Sequence, residues 1–262
     1  MKTRLDAELV RRGLARSREA ATDLIAAGNV LVSGMPASKA ATQVDAETSI
    51  TLKDDHAEFV SRGGHKLAGA LDKFTQIDVS EKTALDAGAS TGGFTDVLLK
   101  RGAKKVVAVD VGYGQLAWEL QKDERVKILD RVNVRNLTPA QVGEEIDLVV
   151  ADLSFISLKL VLPALISVAK EGADFLVMVK PQFEVGKEKL GAGGVVRDVS
   201  LRKEAVVAVA DAAFALTLGT LGVVASPLPG PSGNVEYFLW LRKGAPALLE
   251  VDLDLAIEKG PA

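Results

Sequence analysis

Four ionisable residues sit where ionisable groups are costly. Asp152 closes the largely apolar run 147–151, and Lys180 closes the run 175–179. Glu236 is the single charge in the run 235–241. Lys66 follows the pair Gly63 and Gly64 at the start of a helical pattern. A carboxylate within an apolar strand needs a partner; Lys180 or Lys66 could serve Glu236. Each group alone has a plain structural explanation: a solvated lysine, a helix-capping aspartate, a buried ion pair. Together they suit transfer to a hydroxyl. A sugar hydroxyl does not ionise at neutral pH. A desolvated lysine flanked by carboxylates can orient it or take its proton, and in-line placement supplies much of the remaining acceleration.

A second cluster lies upstream. The stretch 86–94 contains Asp86, Gly88, Ser90, Gly92, Gly93 and Phe94, after one apolar run and before a helical pattern. Glycines allow close backbone approach to a ligand, and a helix start offers free N–H groups. Asp110 ends the next apolar run, where a carboxylate can accept ribose hydroxyls. The spacing is not the Gly-x-Gly-x-x-Gly of dinucleotide sites, and no Gly-Lys-Ser/Thr of a P-loop is present. An acidic residue before the glycines repels phosphate. It favours a ligand with a positive centre, such as S-adenosylmethionine (AdoMet). A dinucleotide and a purely structural turn are the alternatives.

Composition narrows the chemistry further. The 262 residues contain no cysteine and two histidines, His56 and His65. Disulfides, thiolate metal sites and cysteine catalysis are excluded, and a multi-histidine metal centre nearly so. No metal is expected. Net charge is −3, so no global basic field announces nucleic acid. No apolar segment approaches the roughly 20 residues of a membrane span, and no signal peptide is recognised at the start. A cytoplasmic protein without membrane contact is expected, and nothing requires an oligomer.

The elements that must carry these groups alternate. Strands are expected at 83–89, 105–111, 126–130, 146–153, 174–180, 221–228 and 235–242, with room for helices between most of them. Near-continuous apolar runs suit parallel strands covered on both faces. The Pro/Gly-rich turn 227–233 is too short for a parallel crossover, so the last two strands should be antiparallel. Ligands of open α/β sheets bind outside the strands' carboxyl ends, which is where Asp152 and Lys180 fall. The segment 183–197, with four glycines, Lys187, Lys189 and Arg197, is long for a connection; closure over RNA is expected, with a disordered surface loop as the alternative.

The first fifty-odd residues read as a separate module. Leu5, Leu9 and Leu14 mark a short helix ending at Gly13. Ser17 is a candidate cap for a second helix ending at Gly28, and a strand and turn follow at 30–34. Residues 1–55 carry eight basic and eight acidic residues, but the basic ones crowd the two helices. One basic helical face is a modest nucleic-acid signal.

Here the motifs converge on a family. Residues 4–6, 16–20 and 28–34 resemble an S4 RNA-binding domain. Residues 60–67, 86–94, 151–155, 180–184 and 233–236 resemble the TlyA family, also called hemolysin A. Its members are S4-containing ribosomal RNA methyltransferases with an FtsJ/RrmJ-like catalytic domain. The resemblance covers nearly the whole chain. It implies an α/β, Rossmann-like AdoMet-dependent methyltransferase fold: a seven-stranded sheet, last strand antiparallel, behind a small α+β S4 domain. The domains would be 1–55 (S4), 56–62 (linker) and 63–262 (methyltransferase). It further implies 2′-O-methylation of cytidine in 16S and/or 23S rRNA, with ribosomal subunits as partners. A family tetrad carries onto Lys66, Asp152, Lys180 and Glu236. Lys180 would act at the 2′-hydroxyl, Asp152 and Glu236 would set its charge and orientation, and Lys66 would hold the nucleotide. Cofactor contacts would come from Asp86, Gly88, Ser90, Gly92, Phe94 and Asp110, and RNA contacts from Arg4, Arg16, Arg18 and Arg62. The linker keeps an aromatic at Phe59, but His56 stands where some members have arginine. A non-enzymatic RNA-binding protein and a haemolysin are the alternative functions; the intact tetrad opposes the first, and the lack of a membrane-active segment opposes the second.

Overall fold

The computed structural model describes residues 3–15, 17–45, 48–52 and 58–260. The chain forms two compact units, Met1–Glu58 and Phe59–Ala262.

In the first unit, β1 (Thr3–Arg4) leads into α1 (Leu5–Arg11), and α2 (Arg18–Ala26) follows. Ser17 caps α2 as expected: its side chain accepts a hydrogen bond from the Ala20 N–H. The short strands β2 (Val30–Val32), β3 (Met35–Pro36), β4 (Gln43–Val44) and β5 (Ile50–Leu52) complete it. Strand β4 pairs with β1, and β2 pairs with both β3 and β5, all antiparallel. A small core of Leu5, Leu9, Ala21, Ile25, Val30, Val44 and Ile50 joins helices to strands. The sequence reading found both helices and β2 but not β1, β3, β4 and β5, strands of two or three residues that are too short to show alternation.

The second unit begins with α3 (Arg62–Lys73), then β6 (Thr83–Ala87), α4 (Gly93–Lys100), β7 (Lys105–Asp110), α5 (Trp118–Gln121), β8 (Val126–Asp130) and α6 (Pro139–Val142). It continues with β9 (Ile146–Ala151), α7 (Leu162–Val168), β10 (Ala169–Val179), α8 (Pro181–Glu184), α9 (Val199–Ala215), β11 (Leu218–Ala225), β12 (Tyr237–Lys243) and α10 (Glu250–Glu258). All seven expected strands are present in one sheet, ordered β11-β12-β10-β9-β6-β7-β8. Strands β10, β9, β6, β7 and β8 run parallel. The last strand, β12, is antiparallel to both neighbours, β10 and β11.

The apolar runs are continuous because each strand feeds two cores. On one face, Val149, Ala151, Phe175, Val177, Tyr237 and Leu239 pack with residues of α7, α9 and α10. On the other, Leu148, Val150, Leu176, Met178, Phe238 and Trp240 pack with α3 and α4. Burying each large side chain contributes about 1.5–3 kcal/mol, so the sheet is a rigid platform. Helix α10 is docked through Leu253 and Ala256, which settles the C-terminal segment as a helix on the sheet. Among the described residues, no helix is long and apolar enough to cross a membrane.

Candidate functional site

The glycine loop follows β6 directly. Gly88 has φ +90°, and a Cβ there would lie 2.5 Å from the Asp152 carbonyl oxygen. Only glycine meets both conditions, so the loop can press against the end of β9. Gly92, at φ +96°, caps α4 in the left-handed region. Gly93 lets the starts of α3 and α4 approach; a Cβ would strike Ser61 Oγ and lie 2.7 Å from the Gly64 nitrogen. Asp110 ties the loop to the next strand end. Its Oδ2 accepts from the Ser90 N–H (2.8 Å) and its Oδ1 from the Gly112 N–H (2.7 Å).

Two cavities meet at this loop. The larger, about 470 Å³, is lined by Asp110, Val111, Gln115, Asn133, Leu153 and Ser154, among others. The smaller, about 180 Å³, is lined by Ser61, Arg62, Gly63, Lys66 and Phe94, among others. Gly88, Ser90 and Asp152 belong to both walls. Asp86 lines neither. It lies fully buried beneath the loop, where Oδ2 accepts from Thr95 Oγ1 (2.7 Å). Burial pushes its carboxyl up to about 7, helped by the nearby charges of Asp152 and Asp110 and opposed by the Thr95 hydrogen bonds. Its Oδ1 has no hydrogen-bond partner among the described residues. Gly92 also lies outside both walls, below Leu116 and Leu120.

The four ionisable residues form two pairs. Lys66 Nζ lies 2.5 Å from Glu236 Oε2, and both side chains are buried. Lys180 Nζ lies 2.5 Å from Asp152 Oδ1 and donates to Ser154 Oγ at 2.9 Å. Of the two partners the sequence offered for Glu236, the structure bonds it to Lys66, across 170 residues of sequence, rather than to Lys180. Lys180 ends β10 between β9, which leads to Asp152, and β12, where Val179 lies opposite Tyr237 and Glu236 therefore comes beside Lys180. Glu236 falls on the face of Phe238 and Trp240, which packs on α3, and Lys66 reaches it from that helix. Glu236 Oε1 has no hydrogen-bond partner among the described residues, and a Cβ at Gly230 would lie 2.6 Å from it.

Arg62 lines the smaller cavity. Arg4 and Arg18 belong to the first unit, both bonded to Asp6 (2.9 and 2.8 Å). Arg16 and His56 lie outside the described residues. Phe59 is buried against the His65 ring, centroids 5.1 Å apart, and the neighbouring Val60 N–H donates to Asp96. The segment 183–197 is more structured than the sequence suggests. Val185 and Val196 pack with Ala205 of α9, Asn234 brackets it by accepting from the Val196 N–H and donating to the Gly194 carbonyl, and Lys189 pairs with Glu204.

The sequence motifs contain Ser154, Phe155 and Glu184, but sequence reasoning gave them no role. Phe155 is 91% exposed at φ +63°, beside the Phe183 ring (5.2 Å). A large apolar side chain this exposed, in a left-handed backbone, is held there by its surroundings. Its position directly after the Asp152–Ser154 stretch was the only available signal.

Comparison with known proteins agrees with this architecture. The S4 domain family matches residues 3–50, and the FtsJ-like methyltransferase family matches residues 59–243. A Mycobacterium tuberculosis protein named 16S/23S rRNA (cytidine-2'-O)-methyltransferase TlyA is 58% identical, covering 99% of each chain. Hemolysin A of Brachyspira hyodysenteriae is 37% identical over 89% of this chain and 97% of that protein. A solved structure from Streptococcus thermophilus, titled as a hemolysin, superposes with TM-score 0.80 and 36% identity, covering 98% of this chain and 95% of its own. With both domain families in register with the two units, and full-length identity well above that needed for common descent, the chain belongs to the TlyA family of S4-containing, FtsJ-like methyltransferases.

Proposed function

We propose that this protein is an AdoMet-dependent rRNA methyltransferase that modifies the 2′-hydroxyl of cytidine in 16S and 23S rRNA. The carrying observation is Asp152 at the wall shared by two cavities, with Lys180 paired to it from behind at 2.5 Å, and Lys66, paired to Glu236, on the wall of the smaller one. The activity named for the Mycobacterium tuberculosis relative supports the same reading.

The residues present fit AdoMet. The glycine loop allows close approach, and the carboxylates of Asp110 and Asp152 at the cavity walls complement a cationic ligand. In this reading Asp110 holds the cofactor's ribose. Gly88 and Ser90 line both cavities and Phe94 the smaller, Gly92 turns the chain into α4 behind them, and Asp86 supports that loop from below. Bound there, AdoMet would supply an electrophilic methyl group for the 2′ oxygen, with a neutral thioether as the leaving group. Lys180 orients that oxygen, and its proton passes into the Lys180–Asp152 pair. Lys66, fixed by Glu236, and Arg62 hold the nucleotide. Asp152 and Lys180 exclude bulk water from the reacting hydroxyl by occupying the strand ends.

Residues 1–55 serve as the RNA-binding domain through Arg4, Arg16 and Arg18. Residues 56–62 form the linker and 63–262 the catalytic domain, working on ribosomal subunits in the cytoplasm. The test is incubation with labelled AdoMet and separated subunits or 70S particles, followed by mapping of ribose methylation. Wild type should label cytidine 2′-oxygens. Lys180→Ala should abolish transfer and retain AdoMet binding by calorimetry. Wild-type failure on every ribosomal substrate would overturn the proposal.

A further inference from the structure

Lys180 and Asp152 stand on separate loops. The loop after β9 spans 152–158, and the one after β10 runs from Lys180 through α8. The strands are in register beneath them, Val177 opposite Ala151, but the backbones part above that point. If the Lys180–Asp152 contact were the only tie, the reacting pair would have to hold its own scaffold together. Its attraction changes whenever a proton moves through it, so the scaffold would change too.

A second tie exists. Glu184, one turn after Lys180, reaches back to the far end of the other loop. Its Oε2 accepts from Ser157 Oγ at 2.6 Å and its Oε1 from the Leu158 N–H at 2.7 Å. Ser157 in turn accepts from the Lys159 N–H and caps the turn Leu158–Leu160. Leu158 is buried in the core. Between the two ties lies the Phe155–Phe183 ring contact. The loops are thus fastened at both ends and in the middle, with the strained Phe155 backbone between the fastenings. Glu184 touches neither cavity wall, and both its oxygens are committed to the neighbouring loop. Burial raises its carboxyl from its ordinary value, and the bonds from Ser157 and Leu158 pull it back.

We infer that Glu184 is a positioning residue: it holds the Asp152 loop against the Lys180 loop so that catalytic geometry does not depend on the catalytic ion pair. This rests on the function proposed above. A displacement of about 1 Å at a reacting pair can cost on the order of 100-fold in rate, which sets the expected effect.

The test uses the full-length protein and an unmethylated ribosomal substrate. Glu184→Ala should lower the single-turnover rate about 10- to 100-fold at saturating RNA. AdoMet affinity should stay within about twofold of wild type. Glu184→Gln keeps one accepting oxygen and should recover part of the rate. Ser157→Ala should slow transfer by less, and adding it to Glu184→Ala should give no further loss, because both remove one tie. Should Glu184→Ala fail to fold, Ser157→Ala decides alone, with a slower rate at unchanged melting temperature expected. A wild-type rate in the variant that folds overturns the inference. So does a rate loss matched by equal losses of AdoMet affinity and melting temperature. Absence of transfer by wild type would instead bring down the proposed function, and this inference with it.

Discussion

The two units both set carboxylates against cations, and at the candidate site of the second the cations are buried as well. In the first, Asp6 holds Arg4 and Arg18, and Glu8 holds Arg11 and Arg12. The carboxylates are 3–5% exposed, while Arg4, Arg11 and Arg18 are 46–61% exposed. In the second, Lys66 and Lys180 are themselves only 9–10% exposed. Outward guanidinium groups, already oriented by a buried carboxylate, lose little freedom on meeting phosphate. Buried ammonium groups meet only what enters the cavity. One arrangement suits binding along a backbone; the other suits chemistry on one hydroxyl. The choice of arginine for the first and lysine for the second follows the same division.

The buried carboxyls Asp6 and Glu8 of the first unit and Asp86 of the second are shifted in opposite senses. The arginines around Asp6 hold its carboxyl far below the usual range, and those around Glu8 hold it at about 2. A depressed carboxyl stabilises the fold above its unfolded value, near 4, and loses that contribution as pH falls through the folded value. Asp86 does the reverse. Its carboxyl is raised to about 7, so its contribution is full below about 4 and is lost as pH rises through 7.

The largest expected effect on stability comes from the buried pair. Lys66→Met leaves Glu236 buried and uncompensated, and should cost about 3–5 kcal/mol in denaturant unfolding. Lys66→Met combined with Glu236→Leu should recover much of that loss. The matching change in the first unit, Arg18→Met, leaves Arg4 on Asp6 and should cost less than about 1 kcal/mol. Equal costs would erase the contrast between the units.

Next in size is the titration. Between pH 5 and 8 the stability difference between Asp86→Asn and wild type should grow in favour of the variant, by a few kcal/mol. A pH-independent difference would remove the raised carboxyl from the account. The smallest effect is on binding: Arg18→Gln should weaken RNA affinity across sequences and lower the salt slope by about one. A sequence-selective loss would instead make Arg18 a base reader.

The sequence disclosed a good deal of this, for physical reasons. Strands fed by cores on both faces read as apolar runs, and the turn at 227–233 was short enough to force an antiparallel neighbour. What it could not disclose is which strands lie side by side. Strand β12 inserts between β10 and β11 and brings Glu236 beside the end of β10, and the packing of α3 on that face then gives it Lys66. Glu184 and Ser154 look like ordinary polar loop residues, because their roles depend on a partner loop some 26 residues away in the chain. The segment 183–197 looked open because its anchor, Asn234, lies 38–40 residues further on.

The division of labour between the units is tested most directly by single-turnover methyl transfer measured against RNA concentration for two variants. For Arg18→Gln, the plateau rate should equal that of wild type and be reached at higher RNA concentration. For Lys180→Ala, the plateau itself should fall by at least about 100-fold, with AdoMet binding retained. A wild-type plateau for Lys180→Ala, or an equally deep fall for Arg18→Gln, would contradict the account.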